Sequence, residues 1–246
     1  MRDKIQAKMQ QLIEKYCEEN NMESMWREPV IKYADAHSPL FDKLREIIDP
    51  DHHYPTDYLP EATLVLSYFM PFKKEIMDSN TTGELTSPEW AAAYGATNTI
   101  AGYLNEKISE YIKELGYDAC PPTDLGIVRA EQLRSRWSQR HVGYIAGQGT
   151  FGINNMLISD KGCAGRYYTV ITTLPFEADA VVEEERCLYK KDGSCRLCVE
   201  RCPVNALQES GFVSYDCLDQ CNKNEDIYGH GACGKCAAGM PCSYKE

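Results

Sequence analysis

No run of about 18 apolar residues, the length a helix needs to cross a bilayer, occurs anywhere in the 246-residue chain. The opening stretch MRDKIQAKMQQLIEKYCEENN carries charge at every turn and has neither an apolar h-region nor a small-residue cleavage site. A soluble, cytoplasmic protein without a membrane partner is expected. Basic side chains are scarce: 26 Lys and Arg face 37 Asp and Glu, a net charge of −11. Nucleic acid and anionic lipid both demand a basic footprint, so neither is an expected general partner. Cysteine is nearly absent from the first 186 residues, which hold only Cys17, Cys120 and Cys163, yet nine more crowd between Cys187 and Cys242. Core thiols scatter like other small apolar residues. In a reducing compartment such crowding points to metal thiolates rather than disulfides.

Apolar periodicity sets out the rest of the chain. Ile5, Met9, Leu12, Ile13 and Tyr16 share one helical stripe, which predicts an amphipathic helix over 2–18. A second helix is predicted around Pro39–Ile48, and the Pro- and Asp-rich segment DPDHHYPTDYLPEA reads as loop. Thr63–Met70 (TLVLSYFM), stopped by Pro71, reads as a strand covered on both faces, followed by a loop over 78–86. Ser87-Pro88 has the form of a helix start, and Ile100, Leu104, Ile108, Tyr111, Ile112 and Leu115 continue a stripe that Gly116 ends. Glu131–Ala146 is predicted helical, and Met156–Ser159 and Arg166–Leu174 are predicted strands. Alternating elements up to about residue 180 imply an α/β or α+β domain. Over 181–246 the periodicity fades, and a small domain of that kind folds around metal.

The segment Cys195-ArgLeu-Cys198-ValGluArg-Cys202-Pro203 is C-x2-C-x3-C-P, the end of the bacterial ferredoxin run, with Cys187 ahead of it at an enlarged spacing. Short spacers wrap consecutive thiolates round one cubane, while the cysteine before proline reaches a second. Cys217, Cys221, Cys233, Cys236 and Cys242 repeat the pattern. The ferredoxin rule gives one [4Fe-4S] cluster Cys187, Cys195, Cys198 and Cys242, and the other Cys202, Cys217, Cys233 and Cys236. Cys221 competes with Cys217, and Cys17, Cys120 and Cys163 read as buried thiols. A four-thiolate zinc site on Cys195, Cys198, Cys233 and Cys236 is the weaker alternative, because it leaves the Cys-Pro and the flanking cysteines without a role. Val204–Leu207 reads as a turn of helix against a cluster, and Gly193, Gly234 and Gly239 would let the backbone approach sulfide. Each cluster with its thiolates adds about −2, which takes the charge of −11 to roughly −15 and favours a partner with a basic face.

Gly147-Gln-Gly149-Thr-Phe-Gly152 satisfies the dinucleotide pattern G-x-G-x-x-G, but the context is reversed. The end of a helix is predicted before it and a strand after it, and position 172, where an acidic residue belongs, is Thr. With Asn154 and Asn155 the loop suits close backbone approach to a polar cofactor or a plain tight turn.

The segment RHVGYIAGQGTFGINN from Arg140, the strand RYYTVITTLPFE and the doubled ferredoxin cysteines, in this order, resemble the epoxyqueuosine reductase family, which is related to reductive dehalogenases. A weaker match of LPEATLVLSY and of residues 91–115 extends the resemblance over most of the chain. The resemblance implies a nitroreductase-like domain over 1–180 that holds base-off cobalamin. It also implies a ferredoxin-like domain over 181–246 that passes electrons through two [4Fe-4S] clusters toward a substrate. It implies that Arg140, His141, Tyr144, Gly149, Gly152, Asn154 and Asn155 bind the cofactor, that Arg134 and Arg136 line the pocket, and that a ferredoxin or flavodoxin is the electron donor. The chain departs from the family in four ways, one being that YGATNT at 94–99 stands where the family has Gly-Arg-Asp-Tyr-His and holds no His. The stretch QLRSRWSQ holds no carboxylate where a proton donor belongs, the nearest being Asp124 and Glu131. No DxHxxG motif for histidine-ligated cobalamin is present, and the C-terminal repeats of longer members are missing, so tRNA is not an expected ligand. The alternative function is a ferredoxin-like carrier that reduces a partner corrinoid or flavin protein. Flavin mononucleotide ranks behind cobalamin as cofactor.

Overall fold

The computed structural model describes residues 1–123, 127–129 as backbone, and 133–246. Helix α1 spans Arg2–Glu19, strand β1 Val30–Asp35, α2 Leu40–Ile47, α3 Pro55–Tyr58, β2 Leu64–Pro71, α4 Lys74–Ser79 and α5 Pro88–Glu114. Three short strands follow, β3 (Ala119–Cys120), β4 (Ile127–Arg129) and β5 (Arg134–Ser135), then helix α6 (Gln139–Ile145). The short strands β6 (Thr150–Phe151) and β7 (Leu157–Ile158) precede the long β8 (Gly165–Thr172). The cysteine-rich end holds α7 (Leu188–Asp192), α8 (Leu197–Glu200), the paired β9 (Leu207–Gln208) and β10 (Gly211–Phe212), α9 (Ser214–Tyr228) and a 3-10 turn at Lys235–Ala237.

The architecture is α+β: an antiparallel four-stranded sheet of order β1-β2-β8-β3 carries helices on both faces. β2 pairs with β1 on one side and β8 on the other, and all eight of its residues are buried. Side chains alternate across a strand. Leu64, Leu66, Tyr68 and Met70 therefore pack with Ile5 and Met9 of α1 and Ile100 and Leu104 of α5, while Val65 joins Phe41, Val142 and Ile145 on the opposite face. Full burial of each large side chain contributes about 1.5–3 kcal/mol, so this central strand anchors the fold. The predicted cap on α5 forms as well: Ser87 Oγ accepts the Trp90 N–H at 3.1 Å.

Four local expectations need correction. Within Glu131–Ala146, of which Glu131 and Gln132 lie outside the described residues, the helix is only α6, and Arg134–Ser135 is strand. Trp137 is buried and donates Nε1–H to Thr169 Oγ1 at 3.0 Å, and the Ser138 N–H goes to His52 Nε2 at 3.1 Å, so tertiary bonds hold this stretch out of helix. Val204–Leu207 is a turn into β9, not a helix; Asn205 takes a left-handed φ of 52°, which a helix does not admit. The loop around His53 contains one helical turn, α3, started by Pro55. Asp78 and Ser79, predicted as loop, finish α4. β1 has no period-two pattern and goes unpredicted; its edge is covered by the segment at Asp179, whose N–H donates to Tyr33 O at 2.8 Å.

Candidate functional site

A cavity of about 130 Å³ is lined by Cys187, Cys195, Cys198 and Cys242, with Ile153 and Met240 as apolar wall. Cys187 starts α7, and its N–H donates to Glu185 Oε1 at 2.8 Å. Gly193 ends that helix in left-handed conformation and turns the chain back toward Cys195. Cys198 sits on α8, where burial pushes its thiol up to about 11. Cys242 is tied to the first part of the chain through its carbonyl, which accepts the Cys163 N–H at 2.9 Å. The Cys163 thiol lies 4.0 Å from Cys242 Sγ and donates to it, which holds the Cys242 thiol low. Cys163 is thus buried as expected and also supports this cavity, a role its isolated place in the sequence does not signal.

A second cavity, about 290 Å³, is lined by Cys202, Cys217, Cys221, Cys233 and Cys236. Cys217 and Cys221 are one turn apart on α9, so both reach the same side. The Cys221 thiol donates to Cys217 and draws it down to about 7, while burial pushes Cys233 and Cys236 up. Backbone groups reach the sulfurs too: the Ala206 N–H donates to Cys202 Sγ at 3.2 Å. Among the described residues, no three Cys, His, Asp or Glu side chains gather closely enough for a single metal ion; the thiols stand round two cavities instead.

The second cavity is also where part of the expected cofactor loop lies. Arg140, Asn154 and Asn155 line it, beside Tyr94 and Arg166. Asn154 Nδ2 donates to Cys236 O at 2.7 Å and joins the loop to the cysteines. Arg140 donates to Asn155 O at 2.7 Å, and Arg166 lies over the Tyr94 ring at 4.2 Å and donates to Asn98 Oδ1 at 3.1 Å. Neither guanidinium has a carboxylate partner among the described residues. Protein packed around Arg140, and then the nearby Arg166, lower its pKa.

His141, Tyr144, Gly149 and Gly152 lie elsewhere. The His141 ring packs on Phe151 at 4.6 Å with Nδ1 2.7 Å from Ser138 Oγ, and Tyr144 packs on the same phenyl ring. Gly149 abuts the Ile158 carbonyl with no room for a Cβ, and Gly152 faces Asn154 Oδ1. Gly147 and Gly149 therefore turn the chain from α6 into β6, and Gly152 follows β6 on the way to β7; helix precedes strand, the reverse of the dinucleotide order. Arg134 is on β5, Arg136 adjoins Trp137, and neither lines the cavity. Asp124 and Glu131 lie outside the described residues. Residues that the sequence did not single out are Arg166, on a strand read only as core, and Lys235, buried between two cysteines.

No protein-family model matches the chain, and no curated protein matches it. Solved structures do. Epoxyqueuosine reductase from Streptococcus thermophilus superposes with a TM-score of 0.60 at 17% identity, over 94% of this chain and 65% of that one. The Bacillus subtilis enzyme gives 0.57 and 17%, over 97% and 66%. A reductive dehalogenase studied for B12-dependent dehalogenation gives 0.51 and 15%, over 73% and 23%. The chain thus spans 65–66% of the length of these epoxyqueuosine reductases, and at such identities the likeness is one of fold. No helix among the described residues is long and apolar enough to cross a membrane.

Proposed function

We propose that the chain is an iron–sulfur reductase that passes single electrons through two [4Fe-4S] clusters to a cofactor or substrate held where Arg140 and Arg166 border the second cysteine site. The observation that carries this reading is the sorting of the thiols. Four that the ferredoxin rule groups together surround one cavity, and the other four, with Cys221, surround the second. A zinc ion would draw four thiolates to one point, whereas a cubane keeps them apart around its own volume. When bound, the clusters supply low-potential one-electron transfer, which side chains cannot perform. The chain's own groups hold and insulate the thiolates: Ile153, Leu207 and Met240 pack beside the cysteines, and the Ala206 N–H supports Cys202.

Cobalamin is the cofactor this reading favours. Arg140, Asn154 and Asn155 would hold its polar edge at the border of the second cysteine site, and among the described residues no imidazole lines that cavity, which suits a base-off form without a histidine ligand. The shared fold with a reductive dehalogenase of B12-dependent chemistry favours cobalamin over flavin. Residues 1–180 would then form the nitroreductase-like cofactor domain and 181–246 the cluster domain, with a ferredoxin or flavodoxin as donor. Anaerobically reconstituted protein is expected to carry about eight irons and about eight acid-labile sulfides per chain. About one zinc without sulfide overturns the reading. Added hydroxocobalamin is expected to change its visible spectrum on binding. Clusters without bound corrinoid or flavin would instead make the chain an electron carrier for a partner protein.

A further inference from the structure

Lys235 lies between Cys233 and Cys236, a place where a lysine would ordinarily extend into water, yet it is 1% exposed. Gly234, left-handed at φ 69°, starts the 3-10 turn that carries Lys235 inward. The ammonium Nζ donates to Thr82 O at 2.6 Å and to Asn80 O at 3.3 Å. Both acceptors are neutral carbonyls, and among the described residues no carboxylate forms an ion pair with it. A buried ammonium without a counter-charge is strongly unfavourable. The place for an opposite charge is the second cysteine cavity, which Lys235 itself lines beside Cys233 and Cys236.

The first cysteine site is balanced differently. Arg186, which lines that cavity, is paired with Asp160 at 2.6 Å through Nη2 and donates from Nη1 to Ile158 O and Gln148 O. The carboxylate of Glu185 sits against the Cys187 N–H. Lys245 also lines this cavity, but it is exposed, and water and salt screen its charge. Carboxylates thus accompany the first site, whereas the second faces the uncompensated cations Lys235 and Arg140.

We propose that Lys235 is the buried counter-charge of the second cysteine site and makes the cluster held by Cys202, Cys217, Cys233 and Cys236 the more easily reduced of the two. This inference rests on the iron–sulfur reading. A reduced cluster carries one more negative charge, so a fixed cation nearby stabilises the reduced form and raises the potential. A one-electron donor of the ferredoxin or flavodoxin class reduces the first cluster. That electron then passes to the second, which is reduced as the first returns to its oxidised state. No bond is made or broken and no proton moves. The electron would come to rest in the cavity that Arg140 and Arg166 also line.

Anaerobic redox titration followed by electron paramagnetic resonance tests this on the reconstituted full chain, with the wave that survives in Cys198→Ser assigned to the second cluster. Lys235→Gln keeps a donor for the Thr82 carbonyl and removes the charge. It is expected to weaken reduction of the second cluster about tenfold, a fall of about 59 mV for one electron, and to leave the first wave in place. Lys235→Arg is expected to restore the wild-type midpoint. If Lys235→Gln fails to assemble the second cluster, Glu185→Gln serves instead: it is expected to raise the first midpoint and narrow the gap. Full iron content with an unmoved second midpoint in Lys235→Gln overturns the inference, as does an unmoved gap in Glu185→Gln. Wild-type protein without iron and sulfide overturns the reading beneath it as well.

Discussion

The indole of Trp90 presses on the backbone of Gly234, and a Cβ added to that glycine would overlap Nε1 and Cε2 of the ring. Trp90 belongs to the first turn of α5, so this contact joins the long core helix to the loop of Cys233 and Cys236. Gly234→Ala is expected to cost about 1–2 kcal/mol for the left-handed backbone and a further ~1–3 kcal/mol for overpacking, with iron lost from the second site. Gly229→Ala provides the control, since Gly229 is left-handed at φ 74° with nothing near its Cβ position; only the first cost applies there. Thermal unfolding and iron content of the two variants check this. Equal losses in both would mean that Trp90 yields freely.

Cys217 and Cys221 both reach the second cavity, but only Cys221 also lines the neighbouring hollow with His230 and Glu225. Cys221 is therefore shared between two hollows, whereas Cys217 faces the cysteine cavity alone. Cys217→Ser is expected to lose about half of the bound iron, and Cys221→Ser to keep nearly all of it. Iron and sulfide assays on the two variants settle which thiol is the ligand.

What could be read from the sequence was what short-range spacing determines. The C-x2-C-x3-C-P run places its thiols within a few residues of each other; Cys187, Cys195, Cys198 and Cys242 line one cavity, and Cys202, Cys217, Cys233 and Cys236 line the other together with Cys221, which the spacing leaves in competition with Cys217. β2 was legible because a strand covered on both faces must be apolar throughout. The start of α6 was not, because Ser138 takes its partner from His52, 86 residues away, and no local pattern reports that bond. Nor does anything in CGKC say that its lysine turns inward; the reason lies in the carbonyls of Asn80 and Thr82, supplied by a distant loop. The family resemblance makes the Arg140–Asn155 segment a cofactor loop, while its glycines by themselves suit a plain tight turn equally well. The fold divides it between the cavity wall and a packed turn, since Gly149 and Gly152 are needed where backbone meets backbone and side chain.

His52 and His141 give the fold an acid-sensitive window. The Nδ1 of His52 lies 2.9 Å from His53 O and its Nε2 accepts the Ser138 N–H, an arrangement that needs the neutral ring. Burial lowers both imidazoles from 6.5 to about 4, with Arg140 adding to the effect at His141. Between these values the unfolded chain binds protons that the folded chain refuses. Stability is therefore expected to level off above about pH 6.5 and to fall below it, by up to about 1.4 kcal/mol per pH unit for each ring. Urea unfolding at pH 7.5, 6.5 and 5.5 is expected to show most of the loss in the last step, roughly three times that of the first, and His52→Gln to reduce it by about half. A loss of equal size between pH 7.5 and 6.5 would place its origin in other groups.

Asp179 holds the approach to the first cysteine site. Its Oδ2 accepts the Tyr33 N–H at 2.8 Å and pairs with Arg2 at 2.8 Å, and its own N–H returns a bond to Tyr33 O. One side chain thus ties the start of α1, the edge of β1 and the segment that leads to Glu185, Arg186 and Cys187. The bond to the backbone N–H is charge-assisted and partly buried, whereas the Arg2 pair is open to water on one side. Asp179→Ala is therefore expected to cost about 1.5–3 kcal/mol and Arg2→Ala about 1 kcal/mol or less, by urea unfolding. The two costs also differ in where they act. Asp179→Ala frees residues 175–186 from the sheet edge, so their amide hydrogen exchange is expected to rise well before global unfolding, while Arg2→Ala, which removes only the bond to Glu177 O and the contact with the Phe176 ring from that segment, is expected to raise it less. Exchange that rises equally in both variants would mean that the Arg2 pair, and not the backbone bond, secures the segment.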